Sequence, residues 1–124
     1  MKVLALEHIQ LAMPAGEERR ARHFYETILG VPERPKPANL AARGGVWFAR
    51  GDLKIHLGVD GNFLPAKKAH PALLVEGLAE FIATLKAAGY PVREEPLVGF
   101  RRAYTEDPFG NRIELMERKT RSSQ

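Results

Sequence analysis

Apolar and polar positions alternate through the first stretch of the chain. In residues 3–13, Leu6, His8, Gln10 and Ala12 fall on one side, and Ala5, Ile9, Leu11 and Met13 on the other. Period two marks a strand with one face on a core and the other free for chemistry. The pattern predicts a strand over Val3–Met13, broken by Pro14-Ala15-Gly16. From Glu17 to Leu29 the period changes. Acidic residues open the stretch, and Ala21, Phe24, Tyr25, Ile28 and Leu29 recur at threes and fours, which predicts a helix. Gly30, with Pro32 just beyond, marks its end.

Three prolines in residues 31–44 allow at most a short edge strand followed by an irregular loop. Residues 45–50 and 53–59 read as a hairpin turning at Gly51-Asp52. Lys54, His56 and Gly58 share one face of its second strand. Trp47 and Phe48 alternate, so one should line a pocket and the other the core. After a loop over Asp60–Ala69 the plan repeats. His70–Val75 is a strand, and Leu78–Ala88 a helix with Leu78, Phe81, Ile82 and Leu85 as its apolar stripe. Pro91–Arg93 is a short strand, and Phe100–Thr105 pairs with Arg112–Met116 across Asp107-Pro108-Phe109-Gly110-Asn111, a segment dense in turn formers. Arg112, Glu114 and Met116 face one way; Ile113 and Leu115 face the other. Each half is βαβββ. The fold expected is α+β, two tandem βαβββ modules forming curved mixed sheets around a cup-shaped pocket. Module one covers about 1–59 and module two about 70–117 of a single domain, with a polar tail over 118–124 expected to fray.

Composition changes this picture little. With 124 residues, 44% hydrophobic and 27% charged, the chain suits one soluble domain with one core. No apolar run approaches a membrane span, and the start is too soon interrupted by charge for a signal peptide. The absence of cysteine excludes disulfides and thiolate metal sites, and fits a cytoplasmic location. The net charge of +4 sits largely in Lys67-Lys68, Arg101-Arg102 and the tail. No basic helix or aromatic–basic strand motif accompanies it, so nucleic acid is not an expected partner. A solvated surface with one anion-binding arginine accounts for the charge better.

Four polar side chains interrupt otherwise apolar strands: His8, His56, His70 and Glu114. Imidazole and carboxylate together suit Zn²⁺, Ni²⁺, Co²⁺, Mn²⁺ or Fe²⁺, and an ion with free positions polarises a substrate oxygen. The bland reading of each histidine is a hydrogen-bonded or surface residue; that of Glu114 is a salt bridge to Arg112 or to a neighbouring strand. His23 has no partner pattern and reads as plain surface. What favours a metal is recurrence: His8 and His70 open equivalent strands of the two halves.

The chain resembles the vicinal oxygen chelate superfamily, which includes glyoxalase I, fosfomycin-resistance thiol transferases, extradiol dioxygenases and bleomycin-binding proteins. The resemblance runs from His8 to Glu117. It rests on His8-Ile9-Gln10-Leu11, Phe24-Tyr25 with Leu29-Gly30, His70–Val75, and above all the run Tyr104–Leu115 around Asp107-Pro108-Phe109-Gly110-Asn111. It implies metal ligands at His8, His70 and Glu114. Glyoxalase I-like members place a fourth ligand, usually glutamate, where this chain has His56. That departure removes a negative charge which would have helped proton abstraction. The resemblance also implies that Tyr104 points into the cavity. Arg102, two residues earlier on the same face, is positioned to hold an anionic substrate group. The C-terminal arginines and serines do not reproduce a phosphonate-binding pattern, so a fosfomycin transferase is not favoured.

The resulting expectation is a metal-dependent enzyme of glyoxalase or dioxygenase type, a lyase, isomerase or dioxygenase, chelating a small oxygenated substrate. His8, His56, His70 and Glu114 hold the divalent metal. Glu114 and Tyr104 are catalytic, and Arg102, Trp47 and Gln10 bind substrate. Small relatives are usually homodimers with shared sites, so His8 and His56 of one copy are expected to meet His70 and Glu114 of another. The alternative is a metal-free binding or sequestering protein of bleomycin-resistance type, with the histidines as polar lining. A sensor domain is a third class, for which no dedicated interaction segment is visible.

Overall fold

The computed structural model describes residues 1–120, so the end of the polar tail, 121–124, lies outside the described residues. The chain divides into two compact units between Leu64 and Pro65. Each is a βαβββ module carrying one four-stranded mixed sheet.

In the first module β1 (Ile9–Met13) leads into α1 (Glu18–Arg22), which runs on as a π-helical turn over His23–Ile28. There follow β2 (Glu33–Arg34), the short α2 (Ala38–Ala41), β3 (Val46–Arg50) and β4 (Leu53–Val59). The sheet order is β1-β4-β3-β2, with β1 parallel to β4 and the other pairs antiparallel. The alternation read from sequence holds: Leu11, Met13, Val46, Phe48, Ile55 and Leu57 are buried on one face. Phe24 and Tyr25 join them.

The π turn is a departure from the expected α-helix. The Leu29 amide donates to the Phe24 carbonyl five residues back at 3.0 Å. A wider turn brings successive side chains closer in angle, which lets the adjacent Phe24 and Tyr25 both reach the core. Strand β1 also starts later than the alternation suggests. Among the described residues its only neighbour is β4, with Ile9 opposite Ile55, and β4 begins just two residues earlier at Leu53. Residues 1–6 lie outside the named strands, and Val3, Leu4 and Leu6 stand exposed.

The second module contains β5 (Ala72–Leu74), α3 (Leu78–Ala87), β6 (Val92–Glu94), β7 (Phe100–Glu106) and β8 (Arg112–Arg118). Its sheet order, β5-β8-β7-β6, repeats that of the first module, again with the outer pair β5/β8 parallel. His70 precedes the strand expected to hold it, because Pro71 has no amide to donate to a ladder; the Pro71 carbonyl still accepts from the Glu114 amide at 3.0 Å. Leu78, Ile82, Leu85, Ala103, Ile113 and Leu115 form the core.

The β7–β8 turn is held by a closed polar network. Asp107 accepts from the amides of Phe109 and Asn111, both at 2.9 Å, and from the Asn111 side-chain amide at 3.0 Å. The Asn111 oxygen in turn accepts from the Ala66 amide at 3.0 Å. These bonds fix the register that sets Tyr104 opposite Glu114.

Candidate functional site

In the first module the site face carries three stacked rings. His56 on β4 is buried, with Trp47 of β3 directly opposite in the antiparallel register. The indole lies flat on the imidazole, centroids 4.0 Å apart and planes 5° from parallel. On the other side His8 stacks at 4.3 Å and 20°. Trp47 is therefore the pocket-facing member of the Trp47/Phe48 pair, and Phe48 the core member. Burial, and next the neighbouring His8, pushes the His56 imidazole below its ordinary value of 6.5. Its neutral form, the one that binds metals, is thereby favoured. Gln10 stands on the same face, opposite His56 in the β1–β4 register. Its side chain lies over Gly58, where an added Cβ would come within 2.8 Å of the Gln10 amide nitrogen. Gln10 and Trp47 line one cleft of about 240 Å³.

The second module gathers His70, Glu114, Arg102 and Tyr104. The Glu114 carboxylate is buried, a position that is costly unless the charge is met. Two groups meet it: Nε2 of His70 lies 2.7 Å from Oε1, and Nη1 of Arg102 lies 3.4 Å from Oε2. Arg102 is anchored by an Nε bond to the Glu95 carbonyl at 2.9 Å. The salt bridge read as the bland alternative for Glu114 exists, to Arg102 on the neighbouring strand β7 and not to Arg112. Tyr104 presents its ring to the His70 edge at 5.7 Å and 75°.

The hydrogen bonds of His70 test whether a metal fits. Its Nδ1 lies 2.8 Å from the Lys68 carbonyl. A carbonyl only accepts, so Nδ1 carries a hydrogen. Nε2 then either carries a second proton, as an imidazolium facing Glu114, or offers a lone pair. A lone pair 2.7 Å from a carboxylate oxygen is stable when a proton on that oxygen or a common cation lies between the two. Two ligands on adjacent corners of such an ion, each at about 2.1 Å, are separated by about 3 Å at octahedral and about 3.4 Å at tetrahedral angles, so the pair opens by a few tenths of an ångström to hold it. The donor pair fits, and the backbone carbonyl behind His70 is the outer support that ligating histidines commonly use.

Among the described residues, no three His, Asp or Glu side chains gather as a metal-binding group. The four expected ligands occur as pairs, His8 with His56 and His70 with Glu114. His23 is exposed on the π turn, as expected. Sequence reading missed the role of Arg112, whose guanidinium carbon lies 4.1 Å above the Tyr104 ring, although its shared face with Glu114 was visible. It also missed the Asp107–Asn111 network, whose signal was the turn motif itself.

A family model, described as the Glyoxalase/Bleomycin resistance protein/Dioxygenase superfamily, matches residues 5–115. The chain belongs to this superfamily. It is 45% identical to a solved protein from Bacillus anthracis assigned to the glyoxalase family, covering 96% of this chain and 98% of that one with a TM-score of 0.89. A glyoxalase/dioxygenase from Nostoc punctiforme is 23% identical over 97% and 99% of the two chains, TM-score 0.75. A genomically encoded fosfomycin resistance protein from Listeria monocytogenes is 20% identical over 98% of each, also at 0.75. These last two likenesses bear on the fold alone. Among proteins with curated functions, none matches the chain.

Proposed function

We propose that this superfamily member is a metal-dependent enzyme of glyoxalase or dioxygenase type, acting on a small oxygenated substrate chelated to a divalent ion. The reading rests on the His70–Glu114 pair: a buried carboxylate 2.7 Å from an imidazole whose other nitrogen is committed to a carbonyl. His70 and Glu114 of one module and His8 and His56 of the other would hold the ion. When bound, such an ion would supply Lewis-acid polarisation of the substrate.

The chain's own groups supply the rest. Arg102, locked between the Glu95 carbonyl and Glu114, offers remaining guanidinium hydrogens to a substrate oxygen. Tyr104, packed on the His70 edge, places a phenol able to donate or take up a proton beside that group. Trp47 and Gln10 form the wall and the polar contact of the first-module cleft. The neutral His56 adds no charge, so proton abstraction falls to Glu114 rather than to a second carboxylate. Sites shared between the copies of a homodimer belong to the same proposal.

Elemental analysis of the purified protein tests it. The expected result is one divalent ion per site in the wild type, lost in both His8→Ala and Glu114→Ala. Metal-free protein that takes up no Ni²⁺, Zn²⁺ or Mn²⁺ would reject the enzyme reading. The sequestering function of bleomycin-resistance type would then stand in its place.

A further inference from the structure

Tyr104 has a second side. Three guanidinium carbons surround its ring, Arg112 at 4.1 Å, Arg102 at 5.2 Å and Arg93 at 5.4 Å. Beyond the ring lies a cleft of about 340 Å³ whose lining includes Lys67, Arg93, Arg112, Tyr104 and Glu106. Three cations thus share this space with one acid. The pairing of those charges is uneven. Arg93 has Glu95 at 2.7 Å, and Lys67 has Glu106 at 3.5 Å. Arg112 sits directly across the ladder from Glu106, the partner expected on strand geometry. That carboxylate turns to Lys67 instead. Among the described residues, no carboxylate lies within ion-pair distance of Arg112; its contact is the face of Tyr104.

Glu95, Glu114 and Glu106 answer the charges of Arg93, Arg102 and Lys67, which leaves the Arg112 charge to be met by a further anion. The arginine face of the cluster is preorganised. The Arg112 amide donates to the Ala66 carbonyl at 2.9 Å, and Ala66 is tied to Asn111, so strand β8 and the Lys67 loop are held together. A guanidinium stacked on an aromatic face keeps its in-plane hydrogens free, and these match the paired oxygens of a carboxylate or phosphoryl group.

We propose that this cleft is an oxyanion-binding subsite for a small organic anion, with Arg112 as principal contact and Arg93 and Lys67 as supporting charges. Its ligand carries a carboxylate, phosphonate or phosphate. In taking that anion to be the substrate's charged end, the inference rests on the proposed function; the binding itself does not. Tyr104 then stands between the anchored anion and the His70–Glu114 pair.

Calorimetric titration with inorganic phosphate and with acetate, at constant ionic strength, tests the subsite in full-length protein both as purified and after chelator treatment. Saturable binding of phosphate, acetate or both at one site per chain is expected in both preparations. Arg112→Gln should weaken it at least tenfold, and Arg93→Gln, a more exposed change, severalfold. Arg101→Gln removes the same charge from the opposite face of β7 and should leave binding within twofold. Metal content should be unchanged in all three variants. Three results overturn the subsite: no saturable binding of either anion, equal weakening by Arg101→Gln and Arg112→Gln, or binding abolished by chelator. Loss of metal in His8→Ala with phosphate binding intact, or the reverse, separates the fate of the two readings.

Discussion

Glu114 shows how one side chain can be legible in kind and illegible in partner. A carboxylate amid Ile113, Leu115 and their neighbours had to be compensated, and that followed from sequence alone. Which group compensates it did not, because Arg112 and Arg102 both lie within reach of that face. The Glu95 carbonyl decides it by holding Arg102 in place. His56 carries a consequence for pH. Its folded-state value lies below that of the free imidazole, about 6.5, because burial disfavours the cation. As pH falls, the unfolded chain binds its proton first. Stability from neutral His56 is therefore full above about pH 6.5 and is lost as pH drops through the folded value. In chelator-treated protein, the urea midpoint should fall between pH 7.5 and 5.5 more steeply for wild type than for His56→Phe. Equal slopes would show that His56 is not the titrating group. Gly58→Ala should displace the Gln10 side chain, which its Cβ would meet at 2.8 Å. Crystallography of the variant would show whether Gln10 leaves the cleft.

Among the elements, the hairpins and helix α3 follow the sequence pattern closely, since turn formers and period set them locally. The π turn and the short α2 do not. The first depends on where Phe24 and Tyr25 find space. The second, four residues after Pro37, is too short for any period to show. The turn between β7 and β8 is the best test of an element held by polar bonds. Asp107 is buried and accepts three of them, so Asp107→Ala should destabilise the protein by about 2–4 kcal/mol in urea unfolding, through orphaned amides as much as lost bonds. Helix α3 depends on a distant residue for its cap. Gly77 offers no side chain, and the Glu117 carboxylate of β8 accepts from the amides of Gly77 and Leu78 at 2.7 and 3.3 Å. Glu117→Gln keeps the shape but removes the charge favoured at a helix N-terminus, and should cost about 0.5–1 kcal/mol by the same measurement. No change would mean that solvent serves those amides equally well.

At the scale of the whole molecule, the proposed ligand pairs lie on different modules, so assembly of the site can be tested by complementation. If sites are shared between copies, mixing His8→Ala with His70→Ala variants creates one intact site per mixed dimer, and metal content rises from none towards about one ion per four chains, because half the dimers of an equal random mixture are mixed. If each site lies within one chain, every site in the mixture keeps one defect and no metal returns. Elemental analysis after co-refolding distinguishes the two. The repeat of strand, helix and three strands was readable from residue order because period, proline and glycine act over a few neighbours. The same local rules sorted the residues of β4 and β8 into two faces, but on β3 they left open which of Trp47 and Phe48 faced the pocket. Contacts between side chains far apart in the chain were beyond them. The indole on His56, the carbonyl behind His70 and the three guanidiniums around Tyr104 depend on strand register and on side-chain competition for partners. Register needs two strands at once, and competition needs every candidate present in space; both exist only in the folded molecule.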